Sequence, residues 1–411
     1  MVAELCDREH KGRALLAYAE ARALLASELR PLGRAPEAVP LTSAAGRILA
    51  TAIALDRDEP PVPRSAMDGF ALRSADGRAP RRLVGSIFAG TAEAPEIGPG
   101  EAVAVMTGGT VPPGADAVIP VERTHLHGAT LEVLDAPVAR QHMRQAGEMG
   151  RAGRVVLAAG VRLGAGELGI AAASGADPLC VRARPRVAVL ATGDEIVPWT
   201  ALPRPHQVRD SNRIAAVARC TALGAEVVRH GHAPDAPDAL HAALAVALAD
   251  CDVAITIGGV SMGQKDFLPG VLATLGVREV LHGVGIQPGK PVWIGRRGDA
   301  WVLGLPGNPV SSFVILELFG RPLLDALHGA PPAPDPYALC PGVAAAAARS
   351  RARELWLPAQ IRRRVAGAPE IAALPWTGSG DWTCLAGADA LLHLPPDTQV
   401  APGDPIRYLP L

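Results

Sequence analysis

Between Pro185 and Leu305 short apolar runs alternate with helical stretches, and this alternation restricts the fold more than any other feature of the chain. PRVAVLAT, AEVVRH, DVAITI, PVWIG and AWVLGL read as strands, while DSNRIAAVARCTALG, DAPDALHAALAVALAD and PVSSFVILELFGRPLLDALHG read as helices. Strands and helices in such succession form a doubly wound, mainly parallel sheet covered on both faces. Ligands bind such sheets at the carboxyl ends of the strands. An α/β domain is therefore expected over 183–328.

The flanks read differently. From about Leu41 to Val138, runs such as RRLVGSIFAG, EAVAVMTGG, DAVIPVE and ATLEVL are separated by Gly and Pro turns, as in a β-rich module over 46–139. Helical sequence brackets it, in the first 30 residues and in GELGIAAASGA, which suggests one helical linker region built from 1–45 and 140–180. After the Pro-rich GAPPAPDPYALCPG, the segments RELWLPAQI, PEIAALPW, ALLHLPP and DPIRYLPL predict a small C-terminal β domain over 335–411. The expected fold class is thus α/β plus β in a multidomain chain.

Composition excludes several roles. A net charge of −1 over 411 residues, with arginines scattered along the chain, argues against a nucleic-acid partner. The first 25 residues mix acids and bases through an apolar periodicity, which suits an amphipathic helix rather than a signal peptide. No charge-free stretch is long enough for a bilayer. The six cysteines lie far apart without a CxxC pair, so neither a zinc site nor a disulfide framework is indicated. A cytoplasmic protein is expected. Of the three lysines, Lys11, Lys265 and Lys290, two fall in glycine-rich loops.

Three loops follow strands of the α/β domain directly: ATGDEIVP (191–198), GGVSMGQKD (258–266) and GLPGNPVSS (304–312). A glycine loop alone reads as readily as a turn; three converging on one sheet edge point to a site. The second is not a P-loop, because Gln264 separates Gly263 from Lys265 and Asp266 stands where a hydroxyl should. Its glycines, Gly258 and Gly259, would let backbone N–H groups approach an anion. In the third, Asn308 and Pro309 suit a helix start, either a plain cap or an N-terminus that binds phosphate. Glu195 and Asp266 beside such a cradle would repel phosphate unless a cation such as Mg²⁺ mediates; Asp266 reads equally as a helix cap. In the β module, Asp68 in PVPRSAMDGFALRS and Thr107 in AVMTGGTVPPGADAV mark loops rich in polar groups, although turn chemistry alone would account for Asp-Gly.

SAMDGFA, MTGGTVPPGADAV, TGDE, RDSNR, GGVSMG, QPGKP, LPGNPVS and TGSGD occur here in order. In this the chain resembles the molybdopterin molybdenumtransferase family, which includes the E domain of gephyrin. The resemblance spans 61–380. It implies an elongated subunit with a helical linker region, a β module, an α/β domain and a C-terminal β-barrel-like domain. It also implies a homodimer in which the SAMDG loop of one subunit faces the α/β domain of the other. The implied activity is Mg²⁺-dependent insertion of molybdate into adenylylated molybdopterin with release of AMP. By the same resemblance, Asp68, Glu195, Asp266 and Asp235 are the catalytic acids, with Glu195 and Asp266 on the metal. Thr107, Ser211, Asn212, Lys290 and Ser379 are polar substrate contacts. Gly258, Gly259, Ser261, Pro306, Gly307, Asn308 and Pro309 form the loops that hold the pterin phosphate. Further implied partners are the molybdopterin adenylyltransferase and the enzymes that receive the cofactor.

The chain departs from the pattern at Gln287 and Gly283, where many members carry lysines, and at Met149, where many carry Asp. Two rival readings are a molybdopterin adenylyltransferase, which would be a single α/β domain, and a non-catalytic scaffold. The additional β domains argue against the first, and the retained acids against the second.

Overall fold

The computed structural model describes residues 15–91, 94–260, 267–331 and 339–411. Its centre is a six-stranded sheet ordered Glu226–Ala233, Arg186–Thr192, Val253–Ile257, Ala300–Leu305, Trp293–Arg297, Arg278–His282. The first four strands run parallel, and the last two join antiparallel at one edge. Val253–Ile257 is buried at every position, as expected of a strand covered on both faces. The five strands read from sequence are present. The edge strand Arg278–His282 is additional.

One face of this sheet packs against helices Ser211–Ala222 and Pro309–Ile315, the latter continuing through a π-helical turn, Leu316–Gly320, into helix Arg321–His328. Arg219 clamps Glu317 within that π turn, Nε to Oε1 at 2.5 Å and Nη2 to Oε2 at 2.7 Å, and the Glu317 side chain is fully buried. A forked pair of this kind holds the two helices in fixed register.

The C-terminal domain is a closed barrel of five strands: Cys340–Ala344, Glu354–Arg362, Glu370–Ala373, Ala390–Leu394 and Pro405–Pro410. Closure comes from pairing Glu354–Arg362 with Ala390–Leu394, which leaves no free edge in the ring. Its first strand begins at Cys340.

The barrel and the α/β domain are knitted together twice. The short strand Ile286–Gln287 of the α/β domain pairs parallel with Glu354 and Leu355 of the barrel. Trp356 of the barrel enters the α/β core and meets Tyr18 edge-on at 5.2 Å, and Tyr18 in turn meets Phe319 at 5.6 Å. Each such pair adds about 0.5–1.5 kcal/mol to the burial itself. The N-terminal helix Tyr18–Glu28 therefore belongs to this shared core, although its sequence alone suggested the linker region.

The β module is a six-stranded sheet, with Gly69–Leu72 between Ala117–Pro120 and Glu101–Val105. The connection to the α/β domain uses strand pairs from both sides of the module, Glu37–Val39 with Leu179–Val181 and Ile53–Ala54 with Val155–Leu157, beside helix Ala165–Ala173. Among the described residues no helix is long and apolar enough to cross a membrane.

Candidate functional site

The three glycine loops leave the carboxyl ends of neighbouring strands and touch one another. Gly258 has φ of +95°, and a Cβ there would lie 2.8 Å from Thr192 Oγ1 and 3.0 Å from the Thr192 carbonyl oxygen. On the other side its Cα would sit 3.9 Å from a Cβ placed at Gly307. Glycine is required here by conformation and by contact. Gly259, also at positive φ, packs on Leu268 and Thr192. Asn212, at the start of helix Ser211–Ala222, donates Nδ2–H to the Gly307 carbonyl at 2.7 Å, so RDSNR and LPGNP meet at the same rim.

Asn308 holds the N-cap position of helix Pro309–Ile315, but its side chain does not cap. Its Nδ2 donates to Ser379 Oγ at 2.9 Å, and the Val310 N–H donates to the Ser379 carbonyl at 3.0 Å. The helix N-terminus is thus turned toward the barrel segment TGSGD. Asp381 organises that segment: it accepts from the Thr377 N–H and hydroxyl at 2.9 and 3.1 Å and from the Thr383 N–H and hydroxyl at 3.2 and 2.5 Å. These bonds, the Thr383 hydroxyl foremost, hold the Asp381 carboxyl below the usual aspartate range.

Between the rim and the barrel lies a cleft of about 470 Å³. Lys290 and Arg353 line it together with Asn308, Ser311, Thr377 and Ser379, and among the described residues no acid does. Arg353 Nη1 donates to the Ile286 carbonyl at 3.2 Å, which fixes one edge of the guanidinium. Two cations, three hydroxyls and no carboxylate make a site for an anion.

Glu195, Asp235 and Asp68 are not among the residues that line this cleft. The Glu195 carboxylate folds back over Gly193, within 2.9 Å of where a Cβ would be. His232 Nε2 lies 2.8 Å from the Gly193 carbonyl, and the Asp235 N–H donates to Asp194 Oδ1 at 3.2 Å, so strand Glu226–Ala233 braces this turn. Asp68 accepts from the Thr107 N–H at 2.7 Å and the Thr107 hydroxyl at 2.8 Å, and these two bonds lower its pKa. Both residues belong to the β module. Gly69, which follows Asp68, opens a strand, and a Cβ there would fall 2.1 Å from the Ile119 carbonyl oxygen.

Asp266 and Ser261 lie outside the described residues. Among the described residues no group of three or more His, Cys, Asp and Glu could hold a metal. An exposed Glu195 carboxylate beside an anion-binding rim still suits Mg²⁺, which takes one or two carboxylates and completes its shell with phosphate and water.

Comparison with known proteins agrees with this geometry. Residues 16–175 match the MoeA N-terminal region (domain I and II), 188–326 a probable molybdopterin binding domain, and 342–411 the MoeA C-terminal region (domain IV). The molybdopterin molybdenumtransferase of Synechococcus elongatus is 39% identical, over 76% of this chain and 80% of its own length. The chain belongs to the molybdopterin molybdenumtransferase family. Molybdopterin molybdenumtransferase 2 of Mycobacterium tuberculosis is 34% identical over 90% of this chain and 94% of its own length. A molybdopterin biosynthesis moeA protein from Pyrococcus horikoshii OT3, solved by crystallography, superposes with a TM-score of 0.81 at 25% identity, covering 97% of this chain and all of that one.

The cleft is also lined by residues that the sequence reading did not single out as site residues. Arg353 and Trp376 line the cleft beside Thr377 of TGSGD, and neither lies in one of the motifs. Arg353 is one of many arginines, and only the pairing of Ile286–Gln287 with the barrel brings it opposite Lys290.

Proposed function

We propose that the chain inserts molybdate into molybdopterin presented in adenylylated form, with Mg²⁺-dependent release of AMP, and that it works as a homodimer. The observation that carries this reading is the cleft, which among the described residues holds two cations and no acid. It joins three motifs remote in sequence, QPGKP, LPGNPVS and TGSGD, around two cations, and both molybdate and a phosphorylated pterin are anions that such a site attracts.

On this reading Lys290 and Arg353 draw in the oxyanion, and Ser379 donates a hydrogen bond to it. Glu195, with Asp266 from the adjoining loop, would hold Mg²⁺, whose charge neutralises the pyrophosphate oxygens. Gly259 and the LPGNP loop would receive the phosphate through backbone N–H groups, while the Gly258 N–H, donated to the Leu305 carbonyl at 2.9 Å, holds the loop in place. Asp68 and Thr107, held together in the β module, would complete the site of a second subunit.

Purified protein supplied with adenylylated molybdopterin, molybdate and Mg²⁺ should release AMP and yield molybdenum-bearing cofactor. Lys290→Ala should raise the molybdate concentration needed for half-maximal rate. AMP release that ignores both molybdate and Mg²⁺, or formation rather than cleavage of the adenylylated species, would overturn the proposal.

A further inference from the structure

Helix Pro309–Ile315 has a second cavity on its other side, about 180 Å³, which the anion site does not use. Ser211 and Asn212 line it from the start of one helix, Phe313 and Leu316 from the other, and Trp382 and Leu385 from the barrel turn that follows TGSGD. Its chemistry is unlike that of the first cleft: it is mostly apolar, and it holds no charge.

Trp382 is 63% exposed, whereas Trp293, Trp301 and Trp356 are buried. An indole left open beside a cavity presents a flat face to whatever enters. Asn212 lines the cavity and donates Nδ2–H to the Gly307 carbonyl, so its amide oxygen is the acceptor it can offer a ligand. One short segment, Trp376 to Leu385, supplies walls to both cavities and is held rigid by Asp381. A ligand with an anionic group and a flat ring can therefore engage both through the same turn and the same helix.

We propose that this cavity is the subsite for a flat, amino-substituted heteroaromatic ring of the substrate, with Trp382 stacking on the ring and Asn212 Oδ1 accepting from its amine. The assignment rests on the reading above, in which the ligand is a pterin nucleotide. Pterin and adenine share this ring chemistry, so the test separates them.

Binding of AMP and of pterin is measured by calorimetry, each alone, on the full chain and on Trp382→Ala and Trp382→Phe, with a molybdate titration of these proteins and of Lys290→Ala as a parallel arm. One ring compound should bind, which identifies the source. Trp382→Ala should weaken it by roughly 5- to 150-fold, the range that stacking on one base gives, and Trp382→Phe should retain most of the affinity. Molybdate binding should be unchanged in both variants. Ring binding that is absent, or indifferent to Trp382→Ala, while molybdate binding still depends on Lys290, overturns the subsite and leaves the proposed function standing. If molybdate binding does not depend on Lys290 either, both readings fail together.

Discussion

The glycine rim of the α/β sheet beside the cleft and the barrel wall that lines the cleft are built by different means. The sheet uses backbone: Gly258 at positive φ lies between Thr192 and Gly307, and no side chain fits there. The barrel uses a side chain: Asp381 accepts four hydrogen bonds and so fixes the turn that carries Thr377, Ser379 and Trp382. A wall made of tightly packed backbone fails when any atom is added. A wall made by one carboxylate fails when that carboxylate is removed or protonated. The two walls should therefore answer differently to acid and to substitution.

The largest contrast is expected in acid. His328 ends the last helix of the α/β domain and is 1% exposed. Burial, then the charges of Arg162, Arg47 and Arg184, lower its pKa from 6.5 to about 4. The imidazole is neutral in the folded chain and protonates on unfolding, so stability is lost as pH falls from 6.5 toward 4. At 1.36 kcal/mol per unit the full loss is about 3 kcal/mol. Urea unfolding at pH 7.5 and pH 5 should show this decline, and His328→Gln should flatten it. A wild-type midpoint unchanged between those pH values would remove acid lability from the α/β side of the comparison.

Gly258→Ala comes next. The added Cβ meets Thr192 on a backbone already at +95°, and strain of this kind costs about 1–3 kcal/mol. Because Gly258 separates two loops of the rim, molybdopterin-phosphate binding should fall with stability, and calorimetry alongside thermal unfolding would show both. A fully stable variant with intact binding would mean that the rim is less tightly packed than its contacts imply.

These two walls were not equally legible. Strands with glycine loops at their ends announce a sheet edge, because period and φ requirement are local properties of sequence, and Gly258, Asn212 and Gly307 do meet there. The edge strand Arg278–His282 was not read because REVLH is half-exposed and polar, without the apolar run of a buried strand. Asn308 looked like a cap because caps are local, whereas its actual partner, Ser379, is 71 residues away. Arg353 and Trp382 carry no periodic or turn signal. Their place in the site is decided by barrel closure and by the pairing of Ile286–Gln287, both long-range events. Tyr18 shows the same limit: an amphipathic helix declares that it has an apolar face, not which core receives it.

The smallest effect should come from the barrel wall. Hydrogen bonds from Thr383 and Thr377 favour the ionised Asp381 carboxylate, so its folded pKa lies below the ordinary 3.8. A depressed carboxylate stabilises above its unfolded pKa and loses that contribution only as pH falls through the lower folded value. The turn should therefore keep its order across the whole range in which His328 weakens the α/β domain, and loosen only below about pH 3.8. Asp381→Asn keeps one acceptor but cannot receive all four bonds. It should raise the molybdate concentration needed for half-saturation by less than Asp381→Ala does, because Ser379 and Thr377 remain partly oriented. Both variants should leave the pH dependence of unfolding between 6.5 and 4 as it is in the parent chain. If Asp381→Asn instead altered that dependence, the two walls would be coupled through the shared core of Trp356, Tyr18 and Phe319, and the barrel could no longer be treated as an independent support.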